Sequence, residues 1–437
     1  MEDDPKPELE RKLGAKTLAI NVMNMTIGAG IFILPAHIAG YLGAASFLAY
    51  LFCGLLIGLI MLCFAEMGSR VTSSGGAYAY IADAFGPLAG FLANSLFWFG
   101  YCAIAAAAIL NAMADMLGIW FPIFSLYWFR VIFLLLVLAF FAWVNMRAVQ
   151  SGARLVIIVT ALKIIPLILL IVIGLFGIKG ENLIVSVWPE MGTFGVACLM
   201  LFFAFGGSES ALSNSGEMKD PGRSIPKGIF MGLSAILVLY MGLQFVTLGV
   251  MGESLASFTE APLAATAIQL VGPIGGTILI ATAAISMFGN TGGDVLASSR
   301  LPFAAAKDGL LPDVLARVHP RFKTPHVSIA FYATVIFLLS ISGGFKSLAI
   351  LASSSTLLIY LGVVLAMVKS RLKPDPANVP QFKVPGGYVV PILSLGVLAW
   401  LLAQVPLKEF IALTLFFLLV TGFYFGYRWW NSRHSLE

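Results

Sequence analysis

The chain has 437 residues; 59% are hydrophobic, 11% are charged and the formal net charge is +5. A water-soluble domain carries about 25% charged residues, so this composition excludes a soluble protein and points to a polytopic membrane protein, with many runs beyond the roughly 18 apolar residues that mark a spanning helix. The basic residues are spread among the connections between apolar runs, which excludes a nucleic-acid-binding patch.

The first sixteen residues, MEDDPKPELERKLGAK, are charged and lack the apolar core of a cleavable signal; 1–16 is expected to be a cytoplasmic tail. Apolar runs then follow at 17–38, 41–67, 86–117, 126–146, 153–178 and 190–216. A further six lie at 225–251, 264–303, 326–343, 347–368, 387–405 and 408–430, before a short tail at 431–437. Runs 86–117 and 264–303 are too long for one upright span and must tilt or continue into water. The stretch VTSSGGAYAYIADAFG (71–86) reads as a loop with a short helix at the cytoplasmic face. With the N-terminus cytoplasmic, 21 of the 26 Lys and Arg residues fall on cytoplasmic segments. Arg130, Lys179, Lys346 and Lys408 fall outside, and Lys163 stays within a span. This bias follows the positive-inside rule and favours twelve spans with both termini cytoplasmic, in the plasma (inner) membrane. Cys53, Cys63, Cys102 and Cys198 all sit in apolar runs without metal-ligand spacing, so neither a metal site nor a disulfide framework is expected.

The stretch NMTIGAGIFILP (24–35) places Gly28 and Gly30 at mid-depth of the first span. Glycine inside a helix costs about 1 kcal/mol relative to alanine. The sixth span repeats the feature, with Gly206 and Gly207 followed by the polar Ser208, Glu209 and Ser210. Spans one and six correspond if the first ten spans form two repeats of five. Glycine-interrupted spans in matching halves mark a transporter's binding site, because unpaired backbone groups are tolerated in a membrane only where they line a cavity. Close packing of helices through small residues is the competing explanation.

IGAGIFILP (27–35), AFGGSESALSNSGEMKDPGRSIPKGI (204–229), SSRLPFAAAKDGLLP (298–312) and PQFKVPGGYVVPILSL (380–395) resemble the amino acid–polyamine–organocation (APC) superfamily of transporters, in order along nearly the whole chain. The resemblance implies an all-α integral membrane protein of twelve transmembrane helices with the leucine-transporter fold. That fold has two inverted five-helix repeats, here 17–178 and 190–368, and two additional helices at 387–430. It also implies alternating access around a mid-membrane site. Gly28, Ala29, Gly30 and Ile31, with Ile27 beside them, match the motif that offers backbone groups to a substrate's α-carboxylate and α-amino group. Ala204, Phe205, Gly206 and Gly207 match the break of the sixth helix. Phe203 matches the position of an aromatic gate, with packing as the plainer alternative.

Lys163, in VTALKIIPLILL, is an ionisable group near mid-span, which costs at least about 2.5 kcal/mol on insertion scales. A lysine that gains and loses a proton there can couple transport to a proton gradient. In some superfamily members the ammonium of a fifth-helix lysine takes the place of sodium, so sodium is not expected as a coupling ion. A permanently charged strut is the alternative. Pro166 frees the carbonyl of Leu162. Glu209 is a candidate for proton coupling or gating, or a hydrogen-bonding member of the bundle. Asp294, in GNTGGDVLASSR, falls where the arginine–agmatine exchanger branch has a substrate-stacking tryptophan, and could favour a cationic side chain or be hydrated. Glu217, Lys219, Asp220 and Arg223 read as a solvated loop cluster, with gate salt bridges as the alternative.

The expected function is secondary active transport of amino acids, as proton-coupled symport of neutral amino acids with Lys163 as coupling group. Exchange of basic amino acids or polyamines is the runner-up, and a non-transporting amino acid sensor or a channel lies further off. No GxxxxGK[ST], HExxH or GxSxG motif is present, so no enzyme is expected, and no cofactor beyond the proton. The expected partners are a small amino acid and the lipid bilayer.

Overall fold

The computed structural model describes residues 14–71, 76–147, 153–209, 218, 220–373 and 380–434. These residues are overwhelmingly helical, and no β-strand ladder forms among them. Eight helical runs are long and apolar enough to cross a bilayer, with four shorter apolar helices at Met191–Phe205, Pro262–Val271, His326–Ser342 and Val389–Leu402. The chain is an integral membrane protein. Burial separates a centre from a perimeter: 83% of the best apolar window in Pro87–Gly118 is buried, against 11% in Leu407–Trp430. Leu418 and Leu419 stay exposed on that outer helix, as suits a lipid-facing surface.

The first apolar run is not one helix. It divides into α1 (Ala15–Thr26) and α2 (Gly30–Leu42), joined by Ile27, Gly28 and Ala29. α3 (Ser46–Arg70) returns, and α4 (Ala77–Phe85) is the short helix expected after residue 71. The long run 86–117 holds α5 (Pro87–Ser95), a π-helical stretch at Leu96–Ala103 and α6 (Ile104–Gly118). α7 (Tyr127–Met146) and α8 (Ala153–Gly174) follow, the latter with Pro166 inside it. α9 (Met191–Phe205) stops at the second glycine pair. α10 (Pro221–Met251) packs along α1 through a G-x-x-x-G notch. A Cβ on Gly228 would lie 2.8 Å from the Cβ of Leu18, and one on Gly232 would lie 2.9 Å from that of Val22.

The run 264–303 resolves its excess length by breaking. α11 (Pro262–Val271) ends at Gly272, whose φ of +78° turns the chain into α12 (Pro273–Ser298), and α13 (Arg300–Lys307) continues it. α14 (His326–Ser342), α15 (Phe345–Leu372), α16 (Val389–Leu402) and α17 (Leu407–His434) complete the bundle.

One end of the bundle is fastened by a buried ion pair. Glu66 of α3, 1% exposed, accepts from Arg371 Nε of α15 at 2.7 Å and from the backbone N–H of Val384 at 2.7 Å. Arg371 also donates to the Gly387 carbonyl. Arg–carboxylate pairs of this two-pronged kind fix geometry as well as charge. Ser69 and Phe382 add a hydrogen bond of 3.1 Å from the Phe382 N–H to the serine hydroxyl. The segment before α16 is thereby tied to the ends of α3 and α15.

Candidate functional site

A cavity of about 630 Å³ lies where α1, α2, the π-helical stretch, α6, α7, α8, α9 and α12 converge. One interrupted helix and the end of another open onto it. At the first, α1 ends and α2 begins within three residues, and no side chain caps the α2 N-terminus. The N–H groups of a helix's first turn have no intrahelical partner and carry partial positive charge. Gly28, Ala29 and Gly30 line the cavity there. At the second, Gly206 and Gly207 line it just beyond the end of α9.

The glycines do different work. A Cβ on Gly28 would make only ordinary contact, 3.5 Å from Asn290 Nδ2 across the cavity wall. A Cβ on Gly30 would lie 2.7 Å from the Ala204 Cα, so this glycine lets the two broken helices touch backbone to backbone. Gly207 has φ of +107°, a conformation that favours glycine, and a Cβ there would lie 2.7 Å from the Met25 carbonyl oxygen. The two competing readings of the glycine pairs, cavity lining and close packing, therefore hold at different residues.

The freed backbone groups are mostly taken. Lys163, 2% exposed, donates from its ammonium to the Asn24 carbonyl at 2.8 Å and to the Ile27 carbonyl at 2.9 Å. Thr160, one turn earlier on α8, donates to Asn24 Oδ1 at 3.0 Å. Tyr240 of α10 reaches both breaks, with its hydroxyl 3.2 Å from the Thr26 carbonyl and 3.0 Å from the Ala204 carbonyl. At the second break, Glu209 accepts from the Gly207 N–H at 3.1 Å and from the Tyr360 hydroxyl at 2.6 Å. Asp294 lies on the cavity wall one turn along α12 from Asn290. Its oxygens accept from Ser298 at 2.7 Å and from Tyr332 at 2.8 Å.

Of the residues singled out in the sequence, Gly28, Ala29, Gly30, Lys163 and Asp294 line this cavity, as do Phe203, Gly206 and Gly207. Phe203 packs edge-on against Phe345, ring centroids 5.6 Å apart. Ile27, Ile31, Ala204 and Phe205 are not among the residues that line it. Their side chains are buried in the core, and the carbonyls of Ile27 and Ala204 already accept from Lys163 and Tyr240. Glu209 likewise does not line the cavity; it is 3% exposed and closes the second break from behind. Ser210, Glu217 and Lys219 fall outside the described residues. Asp220 is the left-handed residue before α10, and its carbonyl accepts from the Ser224 N–H at 2.8 Å. Tyr240, Tyr360, Asn290 and Tyr332 escaped sequence reasoning. The available signal was a polar group recurring within apolar runs.

A helix interrupted at glycines and a second that ends at a glycine pair thus meet around one cavity, with a lysine ammonium on the freed carbonyls. The sequence profile described as amino acid permease matches residues 13–428. The chain belongs to the amino acid permease family. These proteins are transporters of the APC superfamily and not enzymes. Similar proteins include the methylthioribose transporter of Bacillus subtilis (strain 168), 28% identical over 98% of this chain and 95% of the relative. The serine/threonine exchanger SteT of the same organism is 29% identical over 89% of each chain. The human large neutral amino acids transporter small subunit 2 is 30% identical over 86% of this chain and 74% of its own length.

Proposed function

We propose that this permease is a secondary transporter of neutral amino acids that works by alternating access and couples to protons through Lys163. In this reading it crosses the plasma membrane twelve times, with both termini cytoplasmic. The helices from α1 to α8 and from α9 to α15 act as two inverted repeats, and α16 and α17 are additional. The observation that carries the proposal is the pair of hydrogen bonds from the Lys163 ammonium to the Asn24 and Ile27 carbonyls at the edge of the cavity. While charged, the ammonium holds the C-terminal end of α1, where the helix dipole is negative. Loss of the proton removes the charge that makes these bonds strong and releases the turn.

The substrate's carboxylate fits the N–H groups at the start of α2, and its ammonium fits the carbonyl side of the second break. Apolar Phe141, Val144 and Ile109 on the wall suit an uncharged side chain. The names of the serine/threonine exchanger and the large neutral amino acid transporter support a neutral substrate. The Lys163 ammonium stands where the same carbonyls would otherwise hold a small cation, so transport should not need sodium.

Uptake of a labelled amino acid panel into proteoliposomes, with and without an inward proton gradient, tests this for wild type and Lys163→Ala. Gradient-stimulated uptake of neutral amino acids, lost in the variant, supports the reading. Uptake that ignores the gradient but requires internal amino acid supports an exchanger, with Lys163 as a fixed cation. The exchanger reading is favoured by one specific observation: one of the similar proteins is named a serine/threonine exchanger.

A further inference from the structure

Three carboxylates in the interior differ in what holds them. Glu66 is held by a guanidinium and a backbone N–H, groups that only donate. If Glu66 took up a proton, its new O–H would face donors. Glu209 is held by the Gly207 N–H on both oxygens and by the Tyr360 hydroxyl. Asp294 alone of the three is held only by hydroxyls among the described residues, those of Ser298 and Tyr332. A hydroxyl can turn and accept as readily as it donates. The Asp294 cluster therefore accommodates both the carboxylate and the carboxylic acid without leaving a group unpaired.

Among the described residues, no cation is hydrogen-bonded or ion-paired to Asp294. From α14 the titratable neighbour is Tyr332, and from the π-helical stretch Cys102 and Tyr101 share the cavity wall. α6 offers Ala105, Ala106 and Ile109, and α7 offers Asn145, none of them ionisable at ordinary pH. α11 contains no titratable side chain. Lys163 of α8 lines the same cavity, but its ammonium is committed to the carbonyls of α1 and the break. Arg300, where α13 begins, donates to the Leu296 carbonyl. A negative charge in the membrane interior is costly without a partner, and a neutral zwitterion brings no net charge to offset it.

We infer that Asp294 takes up a proton as a neutral amino acid binds in the cavity. This rests on the reading of the cavity as the amino acid site. The proton comes from water in the open cavity and adds to a carboxylate oxygen. The Asp294 side chain passes from charge −1 to 0, and the proton leaves again when the opposite side opens.

The test is titration calorimetry of L-leucine, L-serine and L-lysine into the full-length protein in lipid nanodiscs. Pairs of buffers with different ionisation enthalpies count the protons exchanged. Wild type should take up protons on binding L-leucine or L-serine. Its affinity should weaken up to about tenfold per pH unit where uptake approaches one proton per substrate, as proton linkage requires. Asp294→Asn should bind the neutral amino acids with no uptake and an affinity flat with pH to within about twofold, as expected without a linked proton. Unchanged uptake in Asp294→Asn, or binding without uptake in wild type, overturns the inference while leaving the amino acid site intact. L-lysine binding more tightly than L-leucine, without uptake and lost in Asp294→Asn, would overturn it in favour of a cation subsite. Wild type that binds none of the three would remove the amino acid reading and this inference together. If Asp294→Asn does not fold, Tyr332→Phe and Ser298→Ala decide: each should move the pH at which uptake occurs, and an unchanged profile in both overturns the assignment.

Discussion

The two helix breaks look alike in sequence and are sealed by opposite charges. At the first, the groups left over are carbonyls, and the ammonium of Lys163 caps two of them. At the second, the Gly207 N–H is left over, and the carboxylate of Glu209 caps it. Each break is capped by the charge its own orphaned groups demand, Lys163 from the cavity wall and Glu209 from behind it. In the proposed reading, donors at the start of α2 receive one end of a ligand and the carbonyl side of the second break receives the other. A zwitterion has that same polarity. The pairing teaches that a glycine break needs a dedicated counter-group, and that the counter-group's sign indicates which end of a ligand the break can still receive.

Substitutions can break this comparison. The largest effect is expected for Lys163→Met, which keeps the bulk but takes the ammonium from the Asn24 carbonyl and leaves the Ile27 carbonyl only the Ser286 hydroxyl at 3.5 Å. Each buried unsatisfied group costs about 1–3 kcal/mol, so a loss of several degrees in Tm by scanning fluorimetry should accompany loss of proton-driven uptake. Gly30→Ala should come next. Its Cβ meets the Ala204 backbone at 2.7 Å, and overpacking of that kind costs about 1–3 kcal/mol; thermal stability should fall even in variants that never see substrate. Glu209→Gln keeps an acceptor for the Gly207 N–H but removes its charge. A loss of about 1 kcal/mol, the gap between charged and neutral hydrogen bonds, should register as roughly a fivefold drop in binding affinity. The smallest effect on folding belongs to Gly28→Ala, whose Cβ has room beside Asn290. It should leave Tm within about 1 °C, as surface-like substitutions do, while Gly28→Leu fills the cavity and abolishes binding of labelled substrate to folded protein. Equal stability losses for Gly28→Ala and Gly30→Ala would erase the distinction drawn between them.

Much of this was legible in the sequence because membrane physics leaves few options. A charged residue in an apolar run must find a partner, and Lys163 did. Glycines at mid-depth must serve packing or a cavity, and Gly28, Gly30 and Gly207 divide those tasks. The division itself was not legible, since it depends on which direction each missing Cβ would point. Nor were the partners: Lys163 meets Asn24 across 139 positions of chain and Tyr360 meets Glu209 across 151. Tyr240 and Tyr332 lie in helices whose composition alone gives no hint of what their hydroxyls reach. The excess length of 264–303 signalled a departure from one straight span, but the turn at Gly272 was recognisable only from its left-handed backbone.

Tyr240 holds a consequence for how the two halves of the permease could be watched in motion. One hydroxyl proton lies between a carbonyl of α1 and a carbonyl of α9, at 3.2 and 3.0 Å. Beyond about 3.5 Å such contacts no longer count as hydrogen bonds, so the hinge parts cannot separate without this phenol choosing a side. A single isotopically labelled tyrosine at this position is thus a natural vibrational reporter: its O–H stretch and the carbonyl bands of Thr26 and Ala204 should shift together whenever α1 and α9 move apart.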